Sequence, residues 1–341
     1  MPAATAPILA PYTSPPPRHS LSLITSLLGT TSNWLVLRFI CDALYSASQL
    51  APRGPAAGAG IEDESQAPGE GKGPLRIVLV SFLRGWDFWK GEGKRLGIDL
   101  ARLALQGKFV FVDGLTGLFS TANQNLSKLT PPASMSPAVH STTAPHRLAN
   151  RSHTASQETN VPTKLQWSNT GGVEAIERAI ISAIDSVNSS AGEDDRITAT
   201  SNTLLIVDQP DMLLAATGVE SKVGALEVKD MITCLRQHAH STLVTLAADS
   251  PFINYGESGT PLETEHASLV IGMAYQARMV MQLRGLETGA ARDVSGVMQI
   301  AKGRLCSHAD QRDLDSDDLE PIEILYYVQG DGTVRVFGRG E

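Results

Sequence analysis

The sequence predicts an α/β fold: a mostly parallel sheet flanked by helices, extended at its C-terminal end by antiparallel strands. Three observations predict it. Residues 76–82 (RIVLVSF), 108–114 (KFVFVDG) and 203–208 (TLLIVD) are apolar runs without alternation, as strands covered on both faces require. Segments with helical spacing fall between such runs, for instance Val173, Ile176, Ile180, Ala183, Ile184 and Val187. After about residue 277 the pattern turns to alternation in 278–283 (RMVMQL), 296–301 (GVMQIA), 322–329 (IEILYYVQ) and 333–337 (TVRVF). Half-exposed antiparallel strands look like this.

Taken in order, residues 1–20 are Pro-rich and read as a disordered lead. Residues 33–48 make a helix with Trp34, Leu37, Ile40, Cys41 and Leu44 on one face, and Ser32 or Asn33 as its N-cap. The Ala, Gly, Pro and Glu of 51–74 make a linker or surface loop. After the strand at 76–82, helical pieces at 87–96 and 99–105 are weakened by Gly91, Gly93 and Gly97 and ended by Gly107. With the strand at 108–114 they form a βαβ unit, followed by a short apolar helical turn at 115–119. Residues 120–164 hold Ser, Thr, Asn, Pro and His with few large apolar groups, too little burial to offset ordering entropy. Helices at 172–187 and 223–239 bracket the strand ending at Asp208, and 242–247 is a further parallel strand. A polar loop (249–261) and a helix (262–274) lead into the alternating strands. Residues 307–320 are an acidic insertion, and Gly330-Asp331-Gly332 suits a tight hairpin. The expected organisation is one domain over 21–341, with insertions at about 51–74, 120–164 and 307–320.

The net charge of -8 and pI of about 5.5 argue against a stand-alone nucleic-acid binder, which draws affinity from excess Lys and Arg. They leave room for a local basic surface. Cys41, Cys234 and Cys306 form no CxxC and read as free thiols in a reducing compartment. The N-terminus has neither an early apolar core nor the arginines of a transit peptide, and residues 21–28 are too short to span a bilayer. The expectation is no membrane.

Asp208 closes an apolar strand, and Pro210 cannot continue a ladder. In open α/β sheets the ligand crevice lies at strand C-termini. An acid here resembles the one that helps hold magnesium in RecA-type nucleoside triphosphatases. The alternative is that Asp208 or Asp211 caps the next short helix. The partner of such an acid would be a phosphate loop: Gly, four residues, Gly-Lys, then Ser or Thr. The Gly-Lys pairs at Gly71, Gly93 and Gly107 are followed by Gly73, Arg95 and Phe109, so none supplies the hydroxyl. Gln66, Phe88 and Arg102 stand where the first glycine belongs. The expected position of the loop reads Leu28-Gly29-Thr30-Thr31-Ser32-Asn33. No Walker A P-loop is present, as in a degenerate or scaffold ATPase domain.

Three phrases resemble the family of sixth subunits of the Elongator complex, in its fungal form. They are Val78-Leu79-Val80-Ser81-Phe82-Leu83-Arg84 with Phe88-Trp89-Lys90; Phe111-Val112-Asp113-Gly114-Leu115 with Leu118-Phe119; and the stretch from Arg284-Gly285-Leu286-Glu287 to Arg292-Asp293-Val294-Ser295-Gly296. The likeness runs discontinuously from about Leu21 to the C-terminus. It implies a non-catalytic RecA-like subunit that joins the fourth and fifth subunits in a heterohexameric ring. That ring docks on the catalytic Elongator subcomplex, binds tRNA and supports wobble uridine modification, in cytoplasm and nucleus. It implies no cofactor bound by this chain alone and leaves ATP open as a ligand of ring interfaces.

Arg284, Arg292, Lys302 and Arg304 are candidate tRNA or inter-subunit contacts, because this stretch is basic in an acidic chain. For each, a solvated turn or a local ion pair is the competing reading. Trp86 and Trp89 read as packing rather than stacking platforms. An ATPase with a composite inter-subunit site and a DNA-binding recombination paralogue are the other function classes.

Overall fold

The computed structural model describes residues 7–49, 75–118, 163–165, 172–189, 202–216, 223–253, 259–287, 289, 291–303 and 320–338. Helical turn α1 (Ala10–Thr13) leads into β1 (Leu21–Ser26) and α2 (Asn33–Gln49). Strand β2 (Arg76–Ser81), helices α3 (Trp86–Arg95) and α4 (Leu100–Leu105), and β3 (Phe109–Asp113) make the expected βαβ unit. Then come α5 (Leu115–Leu118), the two-residue β4 (Thr163–Lys164), α6 (Gly172–Ser189), β5 (Thr203–Asp208), α7 (Met212–Ala216), α8 (Ala225–His238) and β6 (Ser241–Ala247). The chain finishes with α9 (Ser250–Ile253), α10 (Pro261–Gln276), β7 (Met279–Arg284), β8 (Gly296–Lys302), β9 (Ile322–Val328) and β10 (Val334–Gly338).

All ten strands belong to one sheet in the order β10-β9-β8-β7-β1-β6-β5-β2-β3-β4. From β7 to β4 neighbours run parallel; β8, β9 and β10 are antiparallel additions. The central strands are buried throughout because both faces are covered. One face carries Ile24, Leu79, Ile206, Leu243 and Met281 under α2, α3 and α4. The other carries Leu23, Val80, Val207 and Val244 under α6, α8 and α10.

Two expectations are corrected. Residues 7–20 of the presumed lead are ordered: Leu9 and Tyr12 join the core under α2, the Tyr12 hydroxyl donates to the Glu320 carbonyl (3.0 Å), and the Thr13 hydroxyl donates to the Asp42 carboxylate. The Pro-rich composition hid this, since only Ile8, Leu9 and Tyr12 carry the apolar packing. Strand β7 alternates in burial as expected but runs parallel to β1, so the antiparallel extension begins one strand later. Boundaries of the elements that the sequence located agree to within about two residues, the ordinary fraying of helix and strand ends, whereas the central strand β1 was not among the expected strands. The segments 51–74 and 307–319, and 120–164 except for Thr163 and Lys164, lie outside the described residues.

Candidate functional site: the crevice at the strand C-termini

Strand register builds the site. Ser81 of β2, Asp208 of β5 and Thr245 of β6 are aligned across three neighbouring strands, each the last or nearly last residue of its apolar run. All three are completely buried. The Ser81 hydroxyl donates to Asp208 Oδ2 (2.7 Å) and the Thr245 hydroxyl to Oδ1 (2.8 Å). Arg84, on the β2–α3 connection, brings its guanidinium to 3.7 Å from Oδ2 and stacks over the Phe88 ring at 5.2 Å. Burial pushes the Asp208 carboxyl above its usual range, against the pull of Arg84 and the two hydroxyls. Gln209 then takes the left-handed conformation (φ 56°), and its N–H donates to Thr245 Oγ1 (3.1 Å) and carbonyl (3.1 Å). That turn directs Asp211 toward α10, where His266 Nε2 stands 3.4 Å from its carboxylate.

Asp208 spends its oxygens on Ser81, Thr245 and Arg84 rather than on the N-terminus of α7, and the acid that caps a short helix is Asp113, at the end of β3 before α5. Its carboxylate accepts from the N–H groups of Leu115 (3.0 Å) and Thr116 (2.9 Å) at the start of α5.

The β1–α2 connection stands where a phosphate loop would be expected, with β6 between it and Asp208. It is a tight turn: Thr30 N–H donates to the Leu27 carbonyl (2.9 Å), and Gly29 sits at φ +85°. Leu27 N–H is tied to Leu283 of β7 (3.0 Å). Leu28 N–H donates to the Asp249 carboxylate, and the Leu28 side chain is 90% exposed. The chain thus offers its own carboxylate to a backbone donor of this turn. Ser32 precedes α2, but its hydroxyl is buried without a hydrogen bond, so the side-chain cap expected there is not made. Chemically the crevice is self-neutralised: an internal arginine faces the acid, and an internal acid faces the turn.

No protein-family model matches the chain. The chain is 21% identical to human "Elongator complex protein 6" over 269 residues, covering 79% of this chain and 82% of that protein. Among solved structures it is similar to the KaiC-like protein PH0186 from Pyrococcus horikoshii OT3, with TM-score 0.46 and 12% identity over 94% of this chain and 91% of that one.

The four candidate contacts fall apart in space. Arg284 ends β7 and pairs with Glu287 (3.0 Å) and Glu323 (3.0 Å), so two carboxylates already hold its charge. Arg292 is exposed on the β7–β8 connection. Lys302 is in register with Met279, at the other end of the hairpin. Five residues of strand, about 17 Å, separate it from the level of Arg284. Arg304 lies outside the described residues. Trp89 is fully buried, and Trp86 packs on Phe109 and Phe111 at 6.0 and 5.5 Å, as packing residues do. Sequence reasoning missed Ser81, Arg84, Thr245, Asp249 and His266. The available signal was that Ser81, like Asp208, is a polar residue closing an apolar strand, while Thr245 interrupts the apolar run 243–247.

Proposed function

We propose that this chain is a non-catalytic, RecA-like subunit of an Elongator complex of the fungal type. In this reading it assembles with the fourth and fifth subunits into a heterohexameric ring that docks on the catalytic subcomplex, binds tRNA and supports wobble uridine modification, in cytoplasm and nucleus. The relationship to human Elongator complex protein 6 and the three sequence phrases support the family. The self-neutralised crevice is the observation that carries the absence of catalysis. Asp208 spends its oxygens on Ser81, Thr245 and Arg84, leaving little for a metal ion. Leu28 N–H is already committed to Asp249, where a phosphate cradle needs free backbone donors. ATP then belongs to interfaces between ring subunits, not to this chain alone.

The test is co-expression with candidate fourth and fifth subunits, followed by native mass measurement and an ATPase assay. A stable heterohexamer, with no turnover by the isolated chain, is the expected result. A persistent monomer, or hydrolysis abolished by Asp208→Ala, defeats the proposal. Within the ring, Arg292 remains a candidate tRNA contact. Its replacement by Ala is expected to lower the salt slope of tRNA binding by roughly one unit or less. An unchanged slope with failed assembly would make it an interface residue.

A further inference from the structure

The helix layer of α6, α8 and α10 ends with α10, while the sheet runs on beyond β7 into β8, β9 and β10. Where the layer stops, a groove of about 410 Å³ opens between α9 and α10 on one side and the outer face of β7 and β8 on the other. Its apolar walls include Val270, Ile271 and Ala274 of α10 and Val280 and Ala301 of the two strands. Thr25, Ser250, Gln282 and Gln299 are the residues with polar side chains that line it. The two glutamines stand opposite each other in register, and Gln299 is exposed.

Helix α10 carries apolar residues around its whole circumference. Leu269, Val270 and Met273 are buried, yet Ile271 is 45% and Tyr275 49% exposed, one helical turn apart. A helix that is apolar all round is built to be covered on more than one side. Ile271 also lines the groove, so an apolar ridge and an apolar socket lie side by side on one chain.

The lining restricts what can fill that socket. Among the described residues no charged side chain lines it, and Glu323, in the same strand row as Gln299, is tied to Arg284 (3.0 Å). A polyanion or a basic segment therefore finds no counter-charge there. Residues 304–319, which follow β8, hold five aspartates (Asp310, Asp313, Asp315, Asp317 and Asp318), whose carboxylates would be desolvated against the apolar walls without a cation. Residues 254–258, which follow α9, bring one large apolar side chain, Tyr255. A two-fold axis, by contrast, sets each residue of an interface near its own copy. Charges are repelled by that arrangement. Hydroxyls and primary amides both donate and accept, so Ser, Thr and Gln are complementary to themselves. The polar lining of the groove is entirely of this kind.

We propose that the groove is an isologous interface, filled by the Ile271 and Tyr275 flank of α10 from a second copy of this chain. A stable pair buries about 1,200–2,000 Å² in total, more than the groove alone supplies. Leu325 and Tyr327 of β9, half-buried on the same sheet face as Gln299, extend the apolar area beside it. The inference concerns the chain by itself and does not rest on ring assembly.

The test is sedimentation velocity on the full chain, without partners, from about 1 to 100 µM, since mass action must drive a true dimer. A reversible dimer is expected. It should hold or strengthen as salt is raised, because screening relieves the repulsion of two chains of net charge -8 and the groove has no ion pair to lose. Ile271→Asp should raise the dimer Kd at least about tenfold. Gln299→Glu, on an exposed strand position, should raise it a few-fold in low salt and serves as the readout if Ile271→Asp melts early. Leu105→Asp, on α4 against the opposite face of the sheet and 74% exposed, should change nothing. A chain that stays monomeric at about 100 µM overturns the proposal, as does a dimer indifferent to both Ile271→Asp and Gln299→Glu. A monomer that dimerises only after Tyr255→Ala, or after 304–319 is replaced by a short Gly/Ser linker, gives the groove to that segment and overturns it as well.

Discussion

Asp208 shows how far a residue type can mislead when its neighbours are unknown. An acid ending an apolar strand was legible in the sequence, and so was its place at the strand C-termini. Its environment was not, because Ser81 and Thr245 are 127 and 37 residues away and meet it only through register. Their hydroxyls and Arg84 turn a would-be metal ligand into an internal hydrogen-bond hub. Burial raises the Asp208 pKa, so the folded protein holds this proton more tightly than the unfolded chain. The stability it contributes is therefore fully present below the ordinary carboxylate value, about pH 4, and is lost as pH rises through the elevated folded value. Relative to Asp208→Asn, the wild type should lose ground as pH is raised from 4 to 8 in urea titrations. A wild type that gains ground instead would mean that Arg84 holds the carboxylate ionised.

At the scale of elements, strong periodicity located most helices and strands, and short or tertiary-driven pieces escaped. Two-residue β4 exists only because β3 offers it an edge, and α9 spans four residues inside what reads as a polar loop. The direction of β7 was also hidden: alternation reports one exposed face, not the orientation of the neighbour. Two element-scale outcomes follow from geometry. At Gly303, just past β8, a Cβ would stand 1.5 Å from the Ala277 carbonyl oxygen, and its N–H donates to Arg278 (2.7 Å). Gly303→Ala must displace backbone rather than a side chain, so about 3 kcal/mol of destabilisation is expected in urea unfolding. Helix α10 opens with a capping box in which Thr260 accepts from Glu263 N–H (3.3 Å) and Glu263 reaches back to Thr260 N–H (2.6 Å). Thr260→Ala should cost about 1 kcal/mol and lower Tm by a few degrees in a thermal melt.

For the molecule as a whole, one sheet with two helix layers was legible because continuous apolar runs and helical spacing agree with each other. The strand order was not, since nothing local says that β1 lies between β6 and β7. Chain-scale architecture also bears on the long Ser/Thr/Pro stretch. We propose that residues 121–161 are dispensable. Replacing them with a short Gly/Ser linker that keeps Thr163 and Lys164 should leave stability within about 1 kcal/mol, because loop-closure entropy depends only weakly on length. A loss of several kcal/mol in urea unfolding would show that the stretch packs on the domain.

The central position of β1 also governs how the protein is made. Leu21–Ser26 leaves the ribosome more than 200 residues ahead of its partners, Thr242–Ala247 and Met279–Leu283. At about 5–20 residues per second, the nascent strand waits roughly ten seconds to most of a minute with both edges unpaired. During that interval it is an apolar β-strand with no sheet, the kind of segment that chaperones hold and that aggregates otherwise. The yield of this chain is then expected to respond to synthesis speed and chaperone supply. A circular permutant that begins before β5 and joins the old termini would deliver β6 and β7 ahead of β1, shortening that exposure.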